Sequence, residues 1–190
     1  MSSHQEFAHL QISLEEIQEA TNDLADENLI GQGAFGKFSS LDYEYGQGDL
    51  EFWTEITMLS HLKHKNLVSF IGFCDEKDEK IIINKHESHE SLEKYLKGSV
   101  LTWLQRLQIF VGIAQALNYI HYDAERNISV IHRNIKSSKV LLDDNWEPKL
   151  SGFELAMRNT SERRHRLLLA EVIGTIGYMD PVRIGYQRTY

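Results

Sequence analysis

Only one cysteine, Cys74, stands in the 190 residues, so the chain closes no internal disulfide and carries no paired-cysteine metal motif. A reducing compartment follows as its expected home. Long apolar runs are missing as well. No stretch approaches the ~18 apolar residues that span a bilayer, and the opening MSSHQEF holds no apolar segment of signal-peptide length. Positive charge is scarce: 20 Lys and Arg face 28 Asp and Glu, for a net charge of -8. That balance disfavours nucleic acid and anionic lipid as partners. The run Arg163-Arg164-His165-Arg166 is the local exception and reads as a solvated loop. Internal repeats and low-complexity tracts are absent. What is present, 42% apolar and 25% charged residues, is ordinary globular composition.

Periodicity then divides the chain. Ser13 with Glu16 forms a capping box, and Leu14, Ile17 and Leu24 predict an amphipathic helix over 13–23. Asn28-Leu29-Ile30 reads as a strand that stops at a tight turn, Gly31-Gln32-Gly33-Ala34-Phe35-Gly36. Asp49 caps a second helix, in which Phe52, Ile56 and Leu59 recur at helical spacing. Strands follow at 67–74 and 80–84 around a charged turn, and Ser91 opens a short helix through Lys97. The stripe Trp103, Leu107, Phe110, Ala114, Leu117 and His121 marks the buried face of the longest helix. Residues 130–131, 140–142 and 149–150 are brief β segments, and 167–172 reads as helical. Strands first and helices later give an α+β arrangement.

A lone GxGxxG is weak evidence of anything. Here it lies between strand candidates instead of opening a helix, which favours a phosphate-covering loop over a dinucleotide site. Further segments join it in order. His64-Lys65-Asn66-Leu67-Val68 runs into Ile71-Gly72-Phe73-Cys74. Then come Val130-Ile131-His132-Arg133-Asn134-Ile135-Lys136, with Lys139 through Asp143, and Lys149-Leu150-Ser151-Gly152-Phe153-Glu154. Gly174-Thr175-Ile176-Gly177-Tyr178 through Pro181 comes last. From about Leu29 to Pro181 this series resembles the protein kinase domain of plant receptor-like serine/threonine kinases, and the lead-in FAHLQISLEEIQEATNDL is similar to their juxtamembrane stretch.

The resemblance implies a two-lobe kinase-like fold: a lead-in with a helix at 1–26, a reduced β-rich N-lobe at 27–84 and an incomplete helical C-lobe at 85–190. The missing lower helices would leave the long helix under-covered. It implies ATP and magnesium as family cofactors and Ile30 through Gly36 as the nucleotide loop. Glu55 becomes the regulatory-helix glutamate, and intact receptor-like kinases become the expected partners. The place implied is the cytoplasm, at the inner face of the plasma membrane.

Against that family pattern the catalytic positions are altered. The phosphate-gripping strand lysine has no counterpart, because Lys37 is the only basic residue between Gly36 and Glu55, and a stretch near Ser39-Ser40 is missing. The base position holds Asn134, an amide. One metal position holds Lys139, a cation, and the other holds Gly152, which has no side chain; Glu154 replaces a glycine. Lys136, the phosphate-contacting lysine, is retained. Starting from ~10 turnovers per second, two losses of ~10³ leave about one turnover per day.

Lys139 either points to solvent or offers its charge to a triphosphate, and Glu154, displaced by two residues, is expected to leave in a different direction. His132 is read as a structural contact in its turn. The pairs His61/His64 and His86/His89 lack a third ligand and are not read as metal sites. Three functional readings follow: an inactive pseudokinase that binds partners, an active serine/threonine kinase with atypical metal chemistry, and a non-functional remnant.

Overall fold

Ser13 opens the first helix as its spacing predicts. Its hydroxyl accepts from the Glu16 amide, and the Glu16 carboxylate accepts from Ser13 in return, so two amides that lack helical partners are satisfied. Helix α1 spans Leu14–Thr21 and ends at Asn22 in the left-handed conformation. The computed structural model describes residues 6–23, 32–33, 36–37, 47–77, 79–122, 128–160 and 173–180. Several expectations fall outside these residues: the strand at 28–30, loop residues Ile30, Gly31, Ala34 and Phe35, the region of Ser39-Ser40, the basic run at 163–166 and the helix at 167–172.

The chain forms two units, one from residues 1–60 and 69–85, the other from 61–68 and 86–190. In the first, β1 (Gln32–Gly33) pairs antiparallel with β2 (Gly36–Lys37), so the ends of the glycine-rich turn form a short hairpin. Helix α2 spans Gln47–His61. It begins three residues earlier than the Asp49 cap predicts, and Asp49 lies in its first turn, where a carboxylate still complements the helix dipole. Strands β3 (Phe70–Glu76) and β4 (Glu79–Asn84) form an antiparallel hairpin. Phe52 and Ile56, one turn apart on α2, are buried with Phe7 and Phe73. Leu14 and Ile17 of α1 are buried with Cys74 and Ile81. Each such side chain contributes about 1.5–3 kcal/mol.

β3 starts at Phe70 and not at Leu67 because the chain changes partners there. Leu67 bridges to Leu150, and the Val68 amide donates to the Leu150 carbonyl at 3.0 Å, both within the second unit. The helix expected from Ser91 to Lys97 is one 3-10 turn, Leu92–Tyr95.

Helix α3, Trp103–Tyr122, corrects the sequence reading most. Its buried residues are Ile109, Gly112, Ala116 and Ile120, whereas Trp103 is 80% exposed, Phe110 71% exposed, and Leu107 and Ala114 are exposed too. The helix is apolar on more than one face. The face with small residues is the one that approaches its neighbours, with Gly112 against Pro148, and the bulky stripe is left outside. Four short strands complete the unit: β5 (Ile128–Ile131) pairs with β8 (Met157–Thr160), and β6 (Val140–Leu142) with β7 (Pro148–Leu150), all antiparallel. Helix α3 packs on β5 and β7.

Candidate functional site

The chain leaves β5 through a turn in which Arg133 has φ 70°. Buried His132 pins this turn. Its Nε2 lies 3.0 Å from the Ser151 carbonyl, its Nδ1 accepts from the Asn134 amide at 3.3 Å, and its ring packs 4.7 Å from that of Phe153. A donor at Nε2 and an acceptor at Nδ1 define one neutral tautomer, and burial lowers the imidazole below its ordinary value although the Ser151 carbonyl opposes this. His132 therefore joins the turn after β5 to the β7 exit.

The 3-10 turn Ser137–Lys139 follows and feeds β6. The Lys139 carbonyl accepts from the Ser151 amide at 2.9 Å and from the Ser151 hydroxyl at 3.1 Å. Lys139 is thereby fixed beside Gly152, whose φ is 78°. The stem of Lys139 runs over that glycine. A Cβ on residue 152 would stand 2.3 Å from Lys139 Cδ and 2.6 Å from its Nζ.

Having crossed Gly152, the Lys139 ammonium reaches Glu154 Oε1 at 2.8 Å, with side-chain exposures of 24% and 3%. The Asn134 amide nitrogen donates to the same oxygen at 3.2 Å, and the Thr175 hydroxyl donates to Asn134 Oδ1 at 2.8 Å. This order fixes the Asn134 amide, since a carboxylate accepts only. Burial pushes the Glu154 carboxyl up, but Lys139 and the hydrogen bonds outweigh it and hold the group below its ordinary value. Glu154 Oε2 is buried with no hydrogen-bond partner among the described residues. Nearby, the Ser137 and Tyr178 hydroxyls lie 2.7 Å apart.

Asn134 and Lys139 are thus joined through Glu154, with the lysine stem lying over Gly152. Lys139 neither points to solvent nor stands free for a phosphate, and Glu154 turns into the site instead of away from it. The reason is local: the missing side chain at 152 opens the path, and the two opposite charges close it. Sequence reading named each residue but not the pairing, and it missed Thr175. The usable signal was a cation at 139 and an anion at 154 on either side of a glycine at 152.

A divalent cation does not fit this donor set. The buried carboxylate is neutralised by an ammonium, and Asn134 turns its NH₂ toward the same oxygen. Lys136 is half-buried just before the 3-10 turn. In the first unit, Glu55 lies half-buried on α2, and Gln32, Gly33 and Gly36 lie in the β1–β2 hairpin. His64 stacks on Tyr119 at 4.9 Å, and His89 stacks on Trp146 at 3.8 Å while bonding to the Asp143 carbonyl at 2.6 Å.

The protein kinase domain matches residues 37–190. A probable receptor-like protein kinase of Arabidopsis thaliana is 40% identical over 185 residues, which cover 89% of this chain and 21% of that protein. Cysteine-rich receptor-like protein kinase 44 of the same plant is 35% identical over 190 residues, or 90% of this chain and 50% of the relative. A probable serine/threonine-protein kinase, PBL28, also from that plant, is 35% identical over 188 residues, or 89% of this chain and 50% of the relative. The chain spans half or less of the length of these relatives. Among the described residues, no helix is long and apolar enough to cross a membrane.

Proposed function

The chain belongs to the protein kinase domain family, with receptor-like kinases among its relatives, and from that premise we propose that it is a catalytically inactive member acting as a binding or regulatory module in receptor-kinase signalling. One observation carries the reading: the Lys139–Glu154 pair at 2.8 Å over Gly152. Family members use ATP with magnesium. In this chain one of the two positions that would hold the metal is a lysine whose stem crosses the other, and the base position offers an amide. Neither proton abstraction nor metal-assisted charge neutralisation has a competent group, and those effects are worth ~10²–10⁴ in rate and several kcal/mol respectively.

The partners proposed are intact receptor-like kinases that share lobe surfaces with this chain, and the proposed place is the cytoplasmic face of the plasma membrane. Purified chain, incubated with labelled ATP, magnesium or manganese, and a serine/threonine peptide, should transfer no phosphate above the level of a protein-free control. Transfer at ordinary kinase rates would support the active-kinase reading instead. Material that never purifies as a folded monomer, alone or with a kinase partner, would support the remnant reading.

A further inference from the structure

Within the second unit, helix α3 and residues His64 and Lys65 flank an open groove of about 640 Å³. The helix is its floor: Phe110, Ala114, Asn118 and Tyr122 line it at successive turns. A little over three turns separate Phe110 from Tyr122, so the floor is about 18 Å long. It lies open, with Phe110 71% exposed, Tyr122 58% and Val111 beside them 48%.

The wall facing the helix is pinned in place. The Lys63 amide donates to the Tyr119 hydroxyl at 3.0 Å, and the His64 ring stacks on that of Tyr119 at 4.9 Å. The Asn66 amide donates to His64 Nδ1 at 3.1 Å, and its side-chain nitrogen donates to the Pro148 carbonyl at 3.1 Å. The Lys149 ammonium donates to the Lys65 carbonyl at 2.9 Å. The groove is therefore preformed, and a ligand need not order it first.

Charge selects the occupant. The chain carries a net charge of -8, yet α3 holds no Asp, Glu or Lys. Its one arginine, Arg106, is turned to the carbonyls of Tyr95, Gly98 and Leu101. Among the described residues, Lys65 is the only charged residue lining the groove, and Lys63 close by is exposed as well. A long uncharged floor with ammonium groups along one rim matches a helix whose apolar stripe is flanked by carboxylates. A second copy of this chain offers no such face. Its α3 repeats the uncharged stripe, and its acidic helix α1 has Leu14 and Ile17 buried against Cys74 and Ile81.

We propose that this groove docks an amphipathic helix of a partner protein, with apolar residues at i, i+4 and i+7 and Asp or Glu along the flank that meets Lys63 and Lys65. The inference rests on the binding-module reading, to which it gives a partner chemistry. Phosphotransfer does not report on the groove, so the two can fail separately.

Fluorescence anisotropy with the full chain tests it. The probe is a labelled synthetic peptide with leucines at helical spacing and glutamates on one flank. One control has the same residues in scrambled order, and another has lysine for glutamate. The acidic helical peptide should bind saturably and at least about tenfold more tightly than either control. Ala114→Arg, which obstructs the exposed floor, should weaken that binding about tenfold or more. Lys63→Glu with Lys65→Glu should reverse the preference between acidic and basic peptides. All three positions are exposed, so the variants should melt like the parent; if Ala114→Arg melts early, the lysine pair carries the test alone. The proposal is overturned if the acidic peptide does not bind, if the scrambled one binds as well, or if neither folded variant changes the binding. A stoichiometric dimer that Ala114→Arg breaks and the peptide cannot displace would make a second copy the occupant, and would overturn it too.

Discussion

Lys139 passes through the space where a side chain on residue 152 would begin, 2.3 Å from that Cβ position. The lysine's path requires a glycine at 152. Gly152→Asp alone, which strains a residue at φ 78° and drives it into Lys139, should cost about 1–3 kcal/mol of stability. Adding Lys139→Asn removes the collision, so the double variant should be less damaged than the sum of the two singles. The expected coupling is about 0.5–3 kcal/mol, read from urea unfolding of all four chains.

Removing the cation tests the pair from the other side. Lys139→Met leaves Glu154 buried beside an apolar stem, and breaking a buried pair in this way costs about 3–5 kcal/mol. Lys139→Met with Glu154→Gln should recover most of that loss, because an amide carries no charge to strand. Equal destabilisation in the single and double variants would show that the charges are not coupled.

Acid should weaken the fold in two stages of the same sign. Burial lowers His132, His64 and His121 below 6.5. The unfolded chain takes up those protons first, so stability falls as the pH drops below the ordinary histidine value. For Glu154 and Asp143, burial raises the carboxyl, but Lys139 and hydrogen bonds prevail for the first, and the Glu147 amide with Lys149 for the second; both end below their ordinary values of 4.5 and 3.8. Their contribution is complete above those values and is lost as the pH falls through the lowered ones. In Lys139→Met the Glu154 carboxyl should rise, and the second stage should begin at higher pH. Unfolding midpoints from about pH 8 to about pH 2 would show it.

The two faces of α3 should respond oppositely. Ile109→Ala or Ile120→Ala should cost about 2–5 kcal/mol, while Trp103→Gln and Phe110→Gln should stay within ~0.5 kcal/mol. The outer pair should also reduce self-association, measured by light scattering, because a bulky apolar stripe on a surface promotes it. A large stability loss from Phe110→Gln would restore the face the sequence suggested.

How far residues alone could be read varied with the physics involved. The capping box at Ser13 and the burial of Phe52, Ile56 and Leu59 followed from local spacing, which needs no knowledge of distant partners. The α3 face did not, because Trp103 and Phe110 look like core until Pro148 is seen against Gly112. Glu154 was misdirected for a related reason: its direction depends on a lysine fifteen positions earlier crossing a hairpin base. The packing of Phe7 with Phe52, Ile56 and Phe73 was invisible too, since nothing in Phe7 alone announces those distant partners. Motif order carried the family, and three-dimensional pairing carried the chemistry.

The claim that an internal lysine stands where family members hold a metal is tested most directly by melting the purified chain with ATP plus magnesium and again with ATP plus a chelator. The melting temperature should be the same in both. A rise that appears only with magnesium, and disappears in Glu154→Gln, would contradict it.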